Sequence, residues 1–132
     1  MTAKYKYVQE YEIKASPKTI YPYLNNPMNL SEWFADVHTD GDNKTFNFIW
    51  DNADHYARVV SSRLNKQIKF EFLDETKNVA DDPSFLEFRL TESELTNSTF
   101  LKITDYSEMD DEDDLNELWG GMVHNLKDLI GG

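Results

Sequence analysis

Residues 115–130 place Leu115, Leu118, Trp119, Met122, Val123, Leu126, Leu129 and Ile130 at offsets of 0, 3, 4, 7, 8, 11, 14 and 15. That spacing predicts a single amphipathic helix with one apolar stripe. Sixteen residues make a rod about 24 Å long. The helix ends a chain whose preceding segments alternate apolar and polar side chains, so it must bury its stripe against a sheet. A sheet curled around a rod leaves an interior that can hold a ligand.

The segments before it read as strands in sequence order. Over Tyr5–Ile13, Tyr7, Gln9, Tyr11 and Ile13 alternate with Val8, Glu10 and Glu12. Ser16-Pro17 is a helix start, with serine as cap and proline where an amide is not needed, and predicts a short helix over 18–24 that Pro22 limits. Asn26-Pro27 breaks the chain again, and residues 28–34 read as a second short helix turning Leu30, Trp33 and Phe34 inward. A minor strand is expected at Asp36–Thr39, then a tight turn at Asp40-Gly41-Asp42-Asn43. Strands follow over Thr45–Trp50, 55–64, 67–73, 85–91 and 99–106, with turns at Asp51-Asn52, Asn65-Lys66 and 93–98 and a longer polar connection over 74–83. Short connections make these strands antiparallel neighbours in a meander.

With 132 residues the chain is one domain. It has no cysteine, which excludes disulfides, thiolate metal sites and a cysteine nucleophile. The first residues lack the apolar run of a signal peptide and no stretch reaches the roughly 18 apolar residues of a membrane span, so a soluble cytoplasmic protein is expected. The net charge of -12 is local: residues 105–117 hold eight acids and no base, leaving 17 acids against 13 bases, or -4, elsewhere. No basic patch is visible, which argues against nucleic acid and anionic membrane surfaces as partners.

Three joints carry a resemblance. Tyr11-Glu12-Ile13-Lys14-Ala15-Ser16-Pro17 leads a first strand into a helix, Leu30-Ser31-Glu32-Trp33-Phe34 closes the second short helix on a tryptophan, and Leu118-Trp119 with Leu126-Lys127-Asp128-Leu129 marks the last helix. In this order and spacing the chain resembles the START-like (SRPBCC) helix-grip superfamily over residues 1–132, most closely the activator-of-heat-shock-ATPase homologues (AHSA-type). The resemblance implies an α+β helix-grip fold. A curved antiparallel sheet of about six or seven strands wraps the long C-terminal helix, with two short helices between the first two strands.

It also implies a cavity between sheet and helix that holds an apolar small molecule. Aromatic-rich strands around one apolar helix, with no catalytic constellation in the sequence, lead to the expectation of binding a hydrophobic or amphipathic small molecule, lipid-like or aromatic, without catalysis and without a cofactor. Two alternatives of other classes stand beside it. One is a protein-interaction module like the chaperone-ATPase activators, with a chaperone or another protein as partner and the acidic segment as its docking surface. The other is a polyketide-cyclase-like enzyme, which would need an inward acid-base pair.

Three tryptophans, seven tyrosines and eight phenylalanines supply the cavity candidates: Tyr11, Trp33, Phe48, Trp50, Phe70, Phe88, Trp119, Met122, Val123 and Leu126. Trp33, Trp119 and Met122 are expected at the mouth. Arg58, Ser62, Asn47 and Tyr11 are polar candidates for orienting a head group. Gly120-Gly121 interrupts the helix with the poorest helix former after proline, which points either to close approach of a ligand or strand or to a mild kink. The run Asp110-Asp111-Glu112-Asp113-Asp114 lacks the glycine of a calcium loop, Leu115 standing in its place, and reads instead as a capped, acidic first turn. His38, His55 and His124 fit no metal or triad spacing and read as structural or exposed.

Overall fold

Pro17, Pro22 and Pro27, spaced five residues apart, shape the first bend of the chain. The computed structural model describes residues 4–39 and 44–131. In it β1 (Tyr5–Ile13) leads into three single-turn helices, α1 (Pro17–Ile20), α2 (Pro22–Asn25) and α3 (Pro27–Leu30), each opening on one of those prolines. Ser16 caps α1 by accepting from the Thr19 amide, and Asn26 caps α3 by accepting from the Met28 and Asn29 amides.

The two short helices expected from the sequence are therefore three. The pyrrolidine ring collides with the carbonyl four residues back and offers no amide, so Pro22 ends α1 and starts α2. The second expected helix keeps regular geometry only to Leu30, and Trp33 and Phe34 lie in the turn beyond it.

Six further strands complete one antiparallel sheet: β2 (Asp36–Thr39), β3 (Thr45–Trp50), β4 (Ala53–Arg63), β5 (Gln67–Phe72), β6 (Phe85–Glu92) and β7 (Thr99–Ser107). The spatial order is β1-β7-β6-β5-β4-β3-β2, so β2 to β7 form the expected meander and β1 returns to pair with the last strand. Asp51 and Asn52, with φ of 54° and 60°, make the two-residue turn between β3 and β4, a conformation that aspartate and asparagine tolerate and β-branched residues do not. The expected turn at Asp40-Gly41-Asp42-Asn43 lies outside the described residues.

α4 (Glu112–Ile130) starts three residues ahead of its apolar stripe. Asp111 caps it by accepting from the Asp114 amide, and Glu112, Asp113 and Asp114 occupy the first turn, where the helix dipole favours negative charge. Gly131, at φ 85°, ends it in the left-handed conformation and donates its amide to the Lys127 carbonyl. Leu115, Trp119, Val123 and Leu126 are buried against the inward positions of the sheet, among them Phe48, Phe70, Phe88, Leu101 and Ile103. The Tyr7 hydroxyl donates to Asn116 Oδ1 over 2.5 Å, tying β1 to the helix. Among the described residues no helix is long and apolar enough to cross a membrane.

Gly120 and Gly121 lie within the unbroken helix, and a Cβ added to either meets nothing within 4 Å. Close approach of a strand is therefore not why they are there. Gly120→Ala and Gly121→Ala are each expected to stabilise the fold by about 1 kcal/mol, the propensity difference between the residues. Urea denaturation of the two variants measures it, and a loss of stability in either would show that the helix relies on glycine's freedom at that point.

Candidate functional site

A large opening lies at one end of the sheet, beside the N-terminal half of α4. Its volume is about 930 Å³, near the top of the range of small-molecule sites. Four groups of residues wall it. Phe34 and Ala35 enter from the turn after α3; Trp50, Asp51 and His55 come from the β3–β4 hairpin; Phe72 to Glu75 and Ser84 to Leu86 flank the β5–β6 connection; and Asp105 to Met109 continue from β7. The helix contributes Leu118, Trp119 and Met122. Leu118 and Met109 remain 44% and 43% exposed, so the lip is apolar as well as the floor.

Aromatic rings make most of the wall. Phe34 stacks on Trp119 with centroids 5.4 Å apart and planes 15° from parallel, and it also meets Trp50 at 6.3 Å. Trp50 meets Phe72 edge-on at 5.7 Å, and the His55 ring stacks on Trp50 at 3.8 Å. His55 Nδ1 lies 3.3 Å from the Phe48 carbonyl. The turn at Asp51-Asn52 brings this pair together, because a two-residue hairpin makes Trp50 and Ala53 partners and sets Phe48 opposite His55.

One carboxylate sits inside. On β7, Leu101, Ile103 and Asp105 share the inward parity, and Asp105 accepts from the Trp119 indole N–H over 3.0 Å. Burial pushes the Asp105 carboxyl above the usual carboxylate range, and hydrogen bonds from Trp119 and Ser107 offset part of that rise. The folded protein thus holds this proton more tightly than the unfolded chain does. Stability is lost as pH rises from the ordinary aspartate range through the raised value, and the cost is fully present above it. Asp105→Asn is accordingly expected to be more stable than the parent at neutral pH, with the advantage disappearing at about pH 4 and below. Denaturation midpoints compared across that range check the sign, and an advantage that grows in acid would contradict it.

Of the ten residues expected at a cavity, Trp50, Trp119 and Met122 line this one. Trp33, Phe48, Phe70, Phe88, Val123 and Leu126 are buried in the core and do not reach it. Trp33, expected at the mouth, is 3% exposed and donates its indole N–H to the Tyr23 carbonyl. Tyr11 is half-buried on β1, where burial and the Tyr7 hydroxyl push its phenol upward. Among the polar candidates Arg58 and Ser62 are exposed, and Asn47 bridges Asp54 and the His55 amide.

Phe34, expected to turn inward but not to line a cavity, joins Phe72, His55 and Asp105 as wall residues outside the ten candidates. Two of them had a readable signal: Phe72 continues the parity of Ile68 and Phe70, and Asp105 continues that of Leu101 and Ile103. His38 and His124 are exposed, the latter 3.5 Å from Asp128 one helical turn on.

Comparison with known proteins bears on this geometry. The sequence matches the START-like superfamily domain over residues 1–132. No curated protein matches it at a significant level. Similar solved structures include MLL2253 from Mesorhizobium loti, at 19% identity and a TM-score of 0.73, with 96% of this chain and 97% of that one covered. The Aha1 dimer from Colwellia psychrerythraea is 23% identical with a TM-score of 0.70 and 96% of both chains covered. CalU16 from Micromonospora echinospora is 16% identical with a TM-score of 0.67, covering 95% of this chain and 73% of that one. At these identities the likenesses carry the fold alone.

Proposed function

Because the chain belongs to the START-like superfamily, we propose that it binds a hydrophobic or amphipathic small molecule, without catalysis, in the opening between the end of the sheet and the first half of α4. The observation that carries the reading is the cavity of about 930 Å³ walled by Phe34, Trp50, Phe72 and Trp119. Rings of this size gain most when water leaves them, and a ligand that covers them also covers the exposed Leu118 and Met109.

The tryptophans provide the test. Trp50 and Trp119 line the cavity and Trp33 does not, so an indole N–H spectrum contains two reporters and an internal reference. Titration with a decyl-chain amphiphile is expected to shift the Trp50 and Trp119 resonances while leaving Trp33 in place, and native mass spectrometry of freshly purified protein is expected to show a bound small molecule. Unmoved reporters across alkyl and aromatic probes would sink the proposal.

A second reading has one specific observation behind it. Asp105 and His55 line the same cavity from β7 and β4, and a substrate long enough to reach both would meet the two kinds of side chain that general acid-base catalysis uses. Loss of turnover of a copurified compound in His55→Gln, with its binding intact, would favour this enzymatic reading over simple carriage.

A further inference from the structure

Among the described residues, the cavity wall contains six acidic residues and neither lysine nor arginine. Their carboxylates are not equivalent. Asp54 accepts from Asn47, and Asp74 is engaged by the amides of Thr76 and Asn78 and by the Thr76 hydroxyl. Asp105 faces inward from the floor, and Asp51, Glu75 and Glu108 are exposed around the opening.

Three lysines outside the lining are each engaged over an aromatic ring. Lys69 Nζ lies 4.2 Å from the Phe85 ring, Lys77 Nζ 4.1 Å from the Tyr56 ring and Lys4 Nζ 5.9 Å from the Tyr106 ring. Phe85 and Tyr106 alternate with the inward-facing Leu86 and Asp105, and Tyr56 with the buried Ala57, so by strand parity these three lining residues stand at the cavity's outer edge, as Asp54 does. The lysines are thus engaged over rings at the outer edge, while Asp105 is the carboxylate set against the aromatic floor.

Resting on the cavity reading above, we propose that the occupant is an amphiphile with a cationic head, an alkyl or aryl amine or quaternary ammonium, whose charge lies against Asp105 and the rings of Trp50 and Phe72. A cation over the face of an aromatic ring is attracted by its quadrupole, most strongly where water is excluded. A fatty acid or other anionic lipid would have to bury its carboxylate beside Asp105 without a partner, which a desolvated site penalises heavily. The same arrangement rejects the wrong charge as well as attracting the right one.

Decyltrimethylammonium, decanol and decanoate share a tail and differ in head charge. Calorimetric titration of the full chain at neutral pH and roughly physiological salt, which screens the exposed surface charges, is expected to rank the cation first by about tenfold over decanol, with decanoate weakest. Asp105→Asn is expected to erase most of the gap between the cation and decanol, whereas Glu94→Gln, a charge change on an exposed turn away from the cavity, leaves it intact.

A thermal melt establishes that each variant is folded. Should Asp105→Asn not fold, the ranking on the parent protein decides the matter with Glu108→Gln as the rim variant. Decanoate or decanol binding as tightly as the cation, or Asp105→Asn behaving like Glu94→Gln, would overturn the charge assignment and leave the cavity reading standing. If none of the three tails binds, the cavity reading fails and this inference with it.

Discussion

Trp119→Ala is expected to destabilise the protein by about 3–5 kcal/mol, the range for deleting a large buried aromatic side chain. For a domain of this size that lowers the melting temperature by roughly 10–20 °C. It consumes a large share of the 5–15 kcal/mol, or about that, available to a typical domain. The reason is the number of things one side chain does. Trp119 is 2% exposed, stacks on Phe34, meets Phe88 edge-on at 6.1 Å and satisfies Asp105.

Those roles separate in a second variant. Trp119→Phe keeps a ring and loses the indole donor, leaving a desolvated carboxylate with less of its hydrogen bonding, at an expected cost of about 1–3 kcal/mol. Combining it with Asp105→Leu removes the orphaned charge too, so the double variant should recover much of the loss and the two changes should not add. Chemical denaturation of the four proteins closes the cycle. Additive losses would show that the Trp119–Asp105 hydrogen bond contributes nothing beyond the ring's packing.

The same pair shows what a sequence can and cannot reveal. The helix stripe places Trp119 against the sheet by periodicity alone, and the strand parities place Phe48, Phe70 and Phe88 inside; these are local patterns with periods of 3.6 and 2. The joints Ser16-Pro17 and Asn26-Pro27 are equally local, since capping and proline sterics act within one turn. The cavity is not local. It arises where five chain segments far apart in sequence fail to meet, so its wall mixes Trp119 with Phe34, His55, Phe72 and Asp105, and no window contains that set.

Burial without contact to an opening is the commoner fate of an inward aromatic. Six of the ten candidate residues therefore pack into the core while Phe34 and Phe72, with the same chemistry, reach the edge. Asp111 caps the start of α4, and from the turns that follow Leu118, Trp119 and Met122 reach the cavity.

Phe48 and Trp50, two positions apart on the same face of β3, should respond in opposite ways to the same truncation. Phe48 is fully buried and its ring pairs with Phe34, Phe46, Trp50, Phe70 and Phe72 at 5.3 to 6.4 Å, so Phe48→Ala opens a void that those neighbours cannot all fill. The expected cost is about 3–5 kcal/mol of stability. Trp50 is half-buried and lines the cavity, so Trp50→Ala enlarges a space already open to water and should cost less, roughly 1–2 kcal/mol, because part of its surface is solvated before the change.

Binding should show the reverse order. Trp50→Ala removes a ring that a ligand would cover, with an expected loss of about tenfold or more in affinity for any aromatic or alkyl probe. Phe48→Ala, studied where it remains folded, keeps every side chain that faces the opening. Denaturation midpoints and probe titrations on the two variants separate core from site. If Phe48→Ala abolished binding while Trp50→Ala left it unchanged, the ligand would lie deeper than the cavity described here, in the space between Phe48 and the middle of α4.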